Sequence, residues 1–439
     1  MKLAQTLPIA PTAVKAFSEA HHEVAWMTQL RQAALNQFES LDFPQYERMN
    51  YRNWPLTETR NFEVESSEQP DLSTINMHLE KAAGSIVQFG NQTIKIALDD
   101  ALKAKGVIIT DIFTAEKEYP DLLQQYYMQV TTTPDEHKLT AFHAALMNNG
   151  AFIYVPKNVV IDQPIQAYFV QDSTQAQDFV HHLLLIADEG SEFTYLENYE
   201  TLGDHKNVAN IVAEVILKNN SHVHYAAVDQ LGAQTTTYLN RRAYVMNDAQ
   251  IDWAVGAMNN GNIINDFNTA LKGRGSHAEA NVVAISTGKQ TQGIETRVTN
   301  YGQQSIGNIL QHGVILEKAT LTFNGVGHIV KGARGSDAQQ ESRVLMLSNK
   351  AIGDANPILL IDENDVRAGH AASVGRVDEQ QMYYLMSRGI DKETAQRLVI
   401  RGFLGSVLTA IPVKAARDQL AETIERKLVD GQATENDKN

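Results

Sequence analysis

Residues 190–199 read GSEFTYLENY, and the same shape returns as NSHVHYAAVD at 220–229, DAQIDWAVGA at 248–257 and GSHAEANVVA at 275–284. Each copy opens on a turn-like entry and continues into an alternating run rich in aromatic or aliphatic residues. Aligning Ser191, Ser221, Ala249 and Ser276 gives steps of 30, 28 and 27 residues. Phe193/Tyr195, Val223/Tyr225 and Ile251/Trp253 then fall at equivalent positions two apart, which in a strand puts both side chains on one face. The fourth copy keeps only Ala278 and Ala280 there. Further strand-like pieces, at 208–217, 235–246 and 294–300, fill the intervals.

A period near 28 residues with several short strands per repeat predicts a stacked solenoid, most simply a parallel β-helix. Asn219-Asn220 and Asn247-Asp248 suit its corners, because Asn and Asp tolerate left-handed backbone angles. A large β-sandwich would instead need hairpins every 8–12 residues. Few hairpin dipeptides such as Asn-Gly stand at the required places.

Both flanks read as helical. From Ser18 to Phe38, Val24, Met27, Leu30, Ala34 and Phe38 recur at three- and four-residue spacing. Pro44 and Asn53-Trp54-Pro55 punctuate the exit, and the acidic stretch NFEVESSEQPDLST, 61–74, reads as a connector. Another helical segment is expected near 122–149. After the solenoid, Asp378 is a good N-cap for DEQQMYYLMSRG and Gly389 a stop. Asp391 caps a second helix, and a third runs from Val413 through Ala416, Leu420, Ile424 and Leu428. The expected organisation is therefore a mainly β chain: an N-terminal helical region over 1–80, a β-helix core over 81–377 and a C-terminal helical domain over 378–439.

The totals exclude several functions. Of 439 residues, 37 are Lys or Arg and 52 Asp or Glu, a formal charge of −15. That balance argues against nucleic acid or an anionic membrane surface as partner, since both need a basic stripe. Zero cysteines exclude disulfides, thiolate catalysis and any thiolate-held zinc or iron–sulfur cluster within this chain alone. The N-terminal MKLAQTLPIAPTAVKAF lacks a signal-peptide core, and the densest apolar run, Leu183 to Ala187, is far too short for a bilayer. A cytoplasmic location is expected.

Candidate chemistry is sparse. His222 and His224 share one strand face, with Gln250/Asp252 and His277/Glu279 at the matching positions of the next repeats; stacked, they form either a metal site or a solvated polar column. Lys272-Gly273-Arg274-Gly275-Ser276 and Lys331-Gly332-Ala333-Arg334-Gly335-Ser336 lack the spacing of phosphate loops and read as turns. Asp362, Glu363 and Asp365 cluster, but alternation separates Asp362 from Glu363, so they read as a polar turn rather than the carboxylate pair a glycosidase needs.

The most specific signals lie late: Phe323-Asn324-Gly325, Asp337-Ala338-Gln339-Gln340 followed by Ser342-Arg343, Ala355-Asn356-Pro357 leading to Asn364-Asp365-Val366, the His370-Ala371-Ala372-Ser373-Val374-Gly375 turn, and YLMSRGI at 384–390 followed by Gly402-Phe403. In that order the stretch from Leu321 to Leu404 resembles the SufB/SufD family of iron–sulfur cluster assembly proteins. It resembles the SufD branch more than the SufB branch, because SufB-like chains carry His-Glu-Ala where this one has His370-Ala371-Ala372, and tend to have cysteine where Leu404 stands. SufD-like chains often carry a cysteine two residues before the histidine; here it is Ala368.

The resemblance implies a right-handed parallel β-helix and a scaffold rather than an enzyme. It implies pairing with SufB, and docking of SufC, an ABC-type ATPase, on the C-terminal helices around Tyr383, Tyr384, Arg388, Gly389 and Phe403. It implies His370 as the candidate iron or cluster ligand, at a site shared with SufB. No cofactor is then held stably by this chain alone: iron or a nascent cluster is transient, and ATP binds only through SufC. A homodimer is possible for the isolated chain. The competing readings are a β-helix polysaccharide hydrolase or lyase and a self-associating structural solenoid.

Overall fold

The structure is a computed structural model that describes residues 9–59, 70, 72, 77, 82–411 and 414–436. The connector expected at 61–74 lies almost wholly outside the described residues. The first helices are α1 (Pro11–Ala20) and α2 (Ala25–Phe38). One helix is expected over 18–38; the chain makes two, because His22 takes a φ of 52° and breaks the run.

The entry to the solenoid comprises β1 (Gly84–Phe89), β2 (Gln92–Leu98), α3 (Asp100–Ala104), β3 (Ile108–Asp111), α4 (Ile112–Glu118), α5 (Pro120–Tyr126) and α6 (Lys138–Leu146). The helical segment near 122–149 is thus two short helices, with Met147 already extended before the next strand. The strands β4 (Asn149–Val155), β5 (Ile165–Ser173), β6 (Phe179–Ala187), β7 (Glu192–Gly203), β8 (Asn207–Leu217) and β9 (His222–Gln230) follow. Next come β10 (Thr235–Val245), β11 (Gln250–Ala257), β12 (Ile263–Leu271), β13 (His277–Ser286) and β14 (Thr291–Asn300). The solenoid closes with β15 (Ile306–Ile315), β16 (Thr320–Ile329), β17 (Asp337–Met346), β18 (Ile352–Ile361) and β19 (Arg367–Arg376). Helices α7 (Glu379–Ser387), α8 (Lys392–Ala410) and α9 (Lys414–Asn436) end the chain.

Odd strands from β5 to β19 stack in one parallel sheet and even strands from β4 to β18 in the other, so each turn contributes one strand to each sheet. The result is a parallel β-solenoid of about 8 turns with 44% strand. The sandwich is excluded: among the described residues antiparallel pairs occur only at the start, β1 with β2 and β3 with β4. Asn220 and Asp248 do take positive φ, 56° and 52°, at the predicted corners.

Each inward position stacks on its equivalent one turn away. Tyr195, Tyr225 and Trp253 lie in one register column, their ring centroids 5.0 and 4.5 Å apart, and Phe267 packs on Trp253 from the facing sheet. Arg241 also points inward and is fully buried. It binds Asp229 through both terminal nitrogens (2.9 and 2.6 Å) and Glu197 through Nε and Nη2 (3.0 and 2.7 Å). Burial pushes the Glu197 carboxyl up and the Arg241 guanidinium pulls it back. At the first turn, Leu102 of α3 and Val107 join the same core and plug the lumen.

The helices attach outside. Arg31 of α2 pairs with Glu23 and donates to the Ala145 carbonyl of α6 (3.2 Å). α8 and α9 lay Ile400, Leu404, Val407, Leu420 and Ile424 on Ala226, Val228, Ala254 and Val283 of the odd-strand sheet. Lys427 Nζ donates to the carbonyls of Met258 (2.7 Å) and Asn259, tying α9 down.

Removing Arg241 alone strands two buried carboxylates, which costs roughly 3–5 kcal/mol. Arg241→Met should therefore lower the urea midpoint sharply. Adding Glu197→Leu and Asp229→Val should restore most of the loss, since a well-packed apolar replacement of a buried ion cluster is near neutral.

Candidate functional site

The last turn is built differently from the rest. Inward residues of β17, such as Ala338, Ser342 and Val344, are buried by β19, but nothing among the described residues lies beyond β18 and β19. Every residue of β18 is exposed or half-buried, and so is every residue of β19. Both strands carry one unpaired edge ten residues long. Ile352, Leu360, Ile361 and Val374 are 58, 42, 39 and 41% exposed there. A long apolar edge of this kind is a template for pairing with another chain.

His370 lies on this edge strand. Its register partner is Gln340, in the column that runs back through Ile309 and Ala280 to Trp253, Tyr225 and Tyr195. His370 therefore belongs to the inward face, with Ala368, Ala372 and Val374, at the open mouth of the lumen. It makes no hydrogen bond or ion pair among the described residues. Beneath it the lumen is polar: Ser342 Oγ donates to Gln311 Oε1 (2.8 Å), Gln311 Nε2 to Thr296 Oγ1 (2.7 Å) and Gln340 Nε2 to the Ile358 carbonyl (2.9 Å). Gln340 Oε1 is buried without a partner. Gly325 makes this chamber possible, because a Cβ there would sit 2.6 Å from Gln340 Oε1.

The motifs around His370 have local physical reasons. Asn324, outward on β16, donates to the Glu47 carbonyl and accepts from Asn356 Nδ2 (both 3.0 Å), pinning the N-terminal segment to two successive turns. Glu363 accepts from the backbone N–H of Gly332 (3.0 Å) and Asn364 (2.8 Å), which also holds its carboxyl below the usual carboxylate range. The 331–336 nest is thus filled by the protein's own carboxylate, and Asp362 to Asp365 form a turn.

Immediately after β19, the Asp378 side chain accepts from Gln380 N (2.8 Å) and Asp391 from Thr394 N (2.8 Å), capping α7 and α8 as the sequence predicts. Gly389 takes a φ of 84° between them. Tyr383 and Tyr384 stand 76 and 58% exposed on α7, and Arg388 lies over the Tyr384 ring at 5.2 Å. A cavity of about 480 Å³ opens between the two helices, lined by Asp378, Gln381, Tyr384, Leu385, Leu398 and Val399. Phe403 differs: it stacks on His312 (centroids 4.8 Å, 22°), and its carbonyl lies 3.0 Å from His312 Nδ1. That ring packs α8 onto the solenoid, whereas Tyr383 and Tyr384 face outward.

Sequence spacing alone misses a buried network under α6. His181 and His182 face opposite ways, yet both are fully buried. His181 points into the lumen between Gln88 (2.8 Å) and Tyr199 (3.0 Å), while His182 Nδ1 meets His143 Nε2 of α6 at 2.9 Å. Asn210 Nδ2 donates to the Leu139 carbonyl, so its Oδ1 accepts from His143 Nδ1 at 2.9 Å. His143 Nε2 must then accept from His182, leaving a lone pair on His182 Nε2, 3.3 Å from Glu214 Oε1. Burial lowers His182 to about 3 and raises Glu214 to about 7, so below about pH 7 both groups are neutral.

The model of the SufBD core domain of the SUF system for FeS cluster assembly matches residues 169–403, and that of the SufBD N-terminal region matches 15–167. The chain belongs to the SufBD family. It is 45% identical over 440 residues to the iron-sulfur cluster assembly protein SufD of Bacillus subtilis (strain 168), covering 98% of this chain and all of that one. SufBD family proteins of Staphylococcus saprophyticus and Staphylococcus haemolyticus are each 26% identical over 422 residues, 92% of this chain and 90% of theirs. Within the family the chain is SufD-like, and its place is in iron–sulfur cluster assembly. Among the described residues no helix is long and apolar enough to cross a membrane.

Glu214 gives a signed pH dependence. Its proton is held to about pH 7 when folded but to about 4.5 when unfolded, so its contribution to stability is complete below pH 4.5 and lost as pH rises through 7. Glu214→Gln keeps the neutral arrangement at every pH. Its stability relative to the parent should be near zero at pH 4 and rise by about 3 kcal/mol by pH 8, read from urea unfolding at both pH values.

Proposed function

We propose that this chain is the non-catalytic SufD-type scaffold subunit of a SufBCD assembly in the cytoplasm. It pairs with SufB through its open last turn and docks the SufC ATPase through the helices after Asp378. At the shared edge it offers His370 to iron or to a nascent cluster. The iron and the cluster are cargo, and the ATP is bound and hydrolysed by SufC. The observation that carries this reading is the terminal turn: two long unpaired strand edges with a free histidine facing the lumen mouth.

The chemistry supports the role. Imidazole is a competent iron ligand and can replace a thiolate on one iron of a cluster. A chain without cysteine cannot complete such a site, so the remaining ligands come from the facing chain. The parallel edges favour a partner that continues the same ladder, because only an extended strand satisfies their N–H and C=O groups. Tyr383 and Tyr384, with the cavity behind Tyr384, form an exposed aromatic patch of the kind that anchors interfaces. The unpaired edge also suits a second copy of the chain when the partner is missing. The carboxylates near Asp362 give no support to a glycosidase, since Glu363 is spent on backbone N–H groups.

Three measurements test the proposal on co-expressed SufB, SufC and this chain. Ile361→Asp with Val374→Asp places charge at two already exposed edge positions; it should leave the free chain folded and abolish co-purification with SufB. Tyr383→Ala with Tyr384→Ala should abolish recovery of SufC on this chain while SufB is retained. His370→Ala should preserve the ternary complex and lower its cluster yield at least tenfold, read by the visible absorbance of the reconstituted cluster. Full cluster yield in the His370 variant removes the ligand role; recovery of neither partner by the parent chain removes the scaffold role.

A further inference from the structure

The outer face of the odd-strand sheet is divided along its strands. Its later positions, including Ala226, Val228 and Ala254, lie under α8 and α9, but from β7 to β13 its first two outward rows are polar and stand outside that apolar cluster. In-register parallel strands repeat every ~4.8 Å, so equal positions on neighbouring strands are within ligand reach of one another. Glu192 pairs with His222, and His224 with Asp252, in these rows. Carboxylate and imidazole ligand atoms of Glu192, His222 and His224 all lie within 4.8 Å of one another.

Asp252 closes the group. Its Oδ2 is 2.8 Å from His222 Nε2 and 2.9 Å from His224 Nδ1, and the two rings are 4.2 Å apart. His222 can donate to that oxygen, but His224 Nδ1 is buried and makes no properly directed hydrogen bond despite its closeness. Gln250 Nε2 donates to Asp252 Oδ1 at 2.9 Å and fixes the carboxylate plane, as an outer-shell partner of a metal ligand does. Asp252 itself is 7% exposed and the two histidines are half-buried, while Glu192 is exposed.

We propose that Glu192, His222, His224 and Asp252 form a binding site for a divalent first-row transition metal, separate from the His370 edge. Two imidazoles and two carboxylates suit zinc or ferrous iron at ligand distances of about 2.0–2.2 Å. The imidazoles disfavour magnesium and calcium, which take oxygen ligands. Glu192, His222 and His224 already converge to within 4.8 Å, and Asp252 joins them through its contacts with both imidazoles.

The test is titration of the full-length chain with Zn(II), by calorimetry, and with Co(II), by visible absorbance. The parent should bind one ion at this site, with cobalt d–d bands of a nitrogen- and oxygen-ligated centre. His224→Ala and the isosteric Asp252→Asn should each weaken binding at least tenfold, while His370→Ala should bind as the parent does. Unchanged far-ultraviolet dichroism and melting of Asp252→Asn separate ligand loss from misfolding. The proposal is overturned if the parent shows no saturable binding, if both variants bind like the parent, or if only His370→Ala loses it. That last pattern would still leave the reading of the terminal turn intact.

Discussion

In-register parallel pairing from turn to turn is the constraint on which the molecule depends. Because strand side chains alternate and neighbouring strands match residue for residue, an inward position on one turn is inward on the next. A residue type therefore propagates as a column. Tyr195, Tyr225 and Trp253 fill the middle of one column, and Gln340 and His370 end it. The same rule leaves a polar group placed inward to find its partner across the lumen or on the next strand of its own sheet. Arg241 reaches across to Glu197 and Asp229 and Gln311 to Thr296, while Ser342 meets Gln311 from the neighbouring strand. Glycine appears where a column becomes crowded with polar side chains, as at Gly325.

A stack held together this way is uniform in its middle and informative at its ends. At the first turn the antiparallel β1–β2 and β3–β4 pairs change the strand direction, and Leu102 fills the lumen. The last turn keeps the parallel ladder running to an open edge, with half-exposed apolar residues and an unpaired histidine. The chain then leaves through α7 and folds α8 and α9 back over the outer sheet. Those helices cover its apolar rows and leave the His222 and His224 rows outside the apolar cluster and half-buried. The buried face of the C-terminal helices and the exposed face of α7 thus serve different purposes on one short stretch of chain.

The solenoid and its helical flanks were legible in the sequence, because their signals are local. The repeat near 28 residues, the two-residue alternation, the Asn and Asp corners and the Asp378 and Asp391 caps each depend on residues within a few positions of one another. The motif from Leu321 to Leu404 carried the family on the same basis. The breaks at His22 and between α5 and α6 were hidden, since propensity says little about where a short helix ends when packing against a sheet decides it.

What only the tertiary structure decided is which residues meet. His370 could be placed on a strand from sequence, but its inward direction and the polar chamber beneath it follow from register parity over the whole stack. Phe403, expected in the docking region, packs on His312, 91 positions earlier, a contact that spacing along the chain does not show. Glu214, His143 and His182 lie on separate elements, and their neutral forms are favoured because burial removes water from all three at once. The sequence by itself determined the repeating unit, because that unit is set by neighbours along the chain. The sites depended on stacking, because their partners are neighbours only in space.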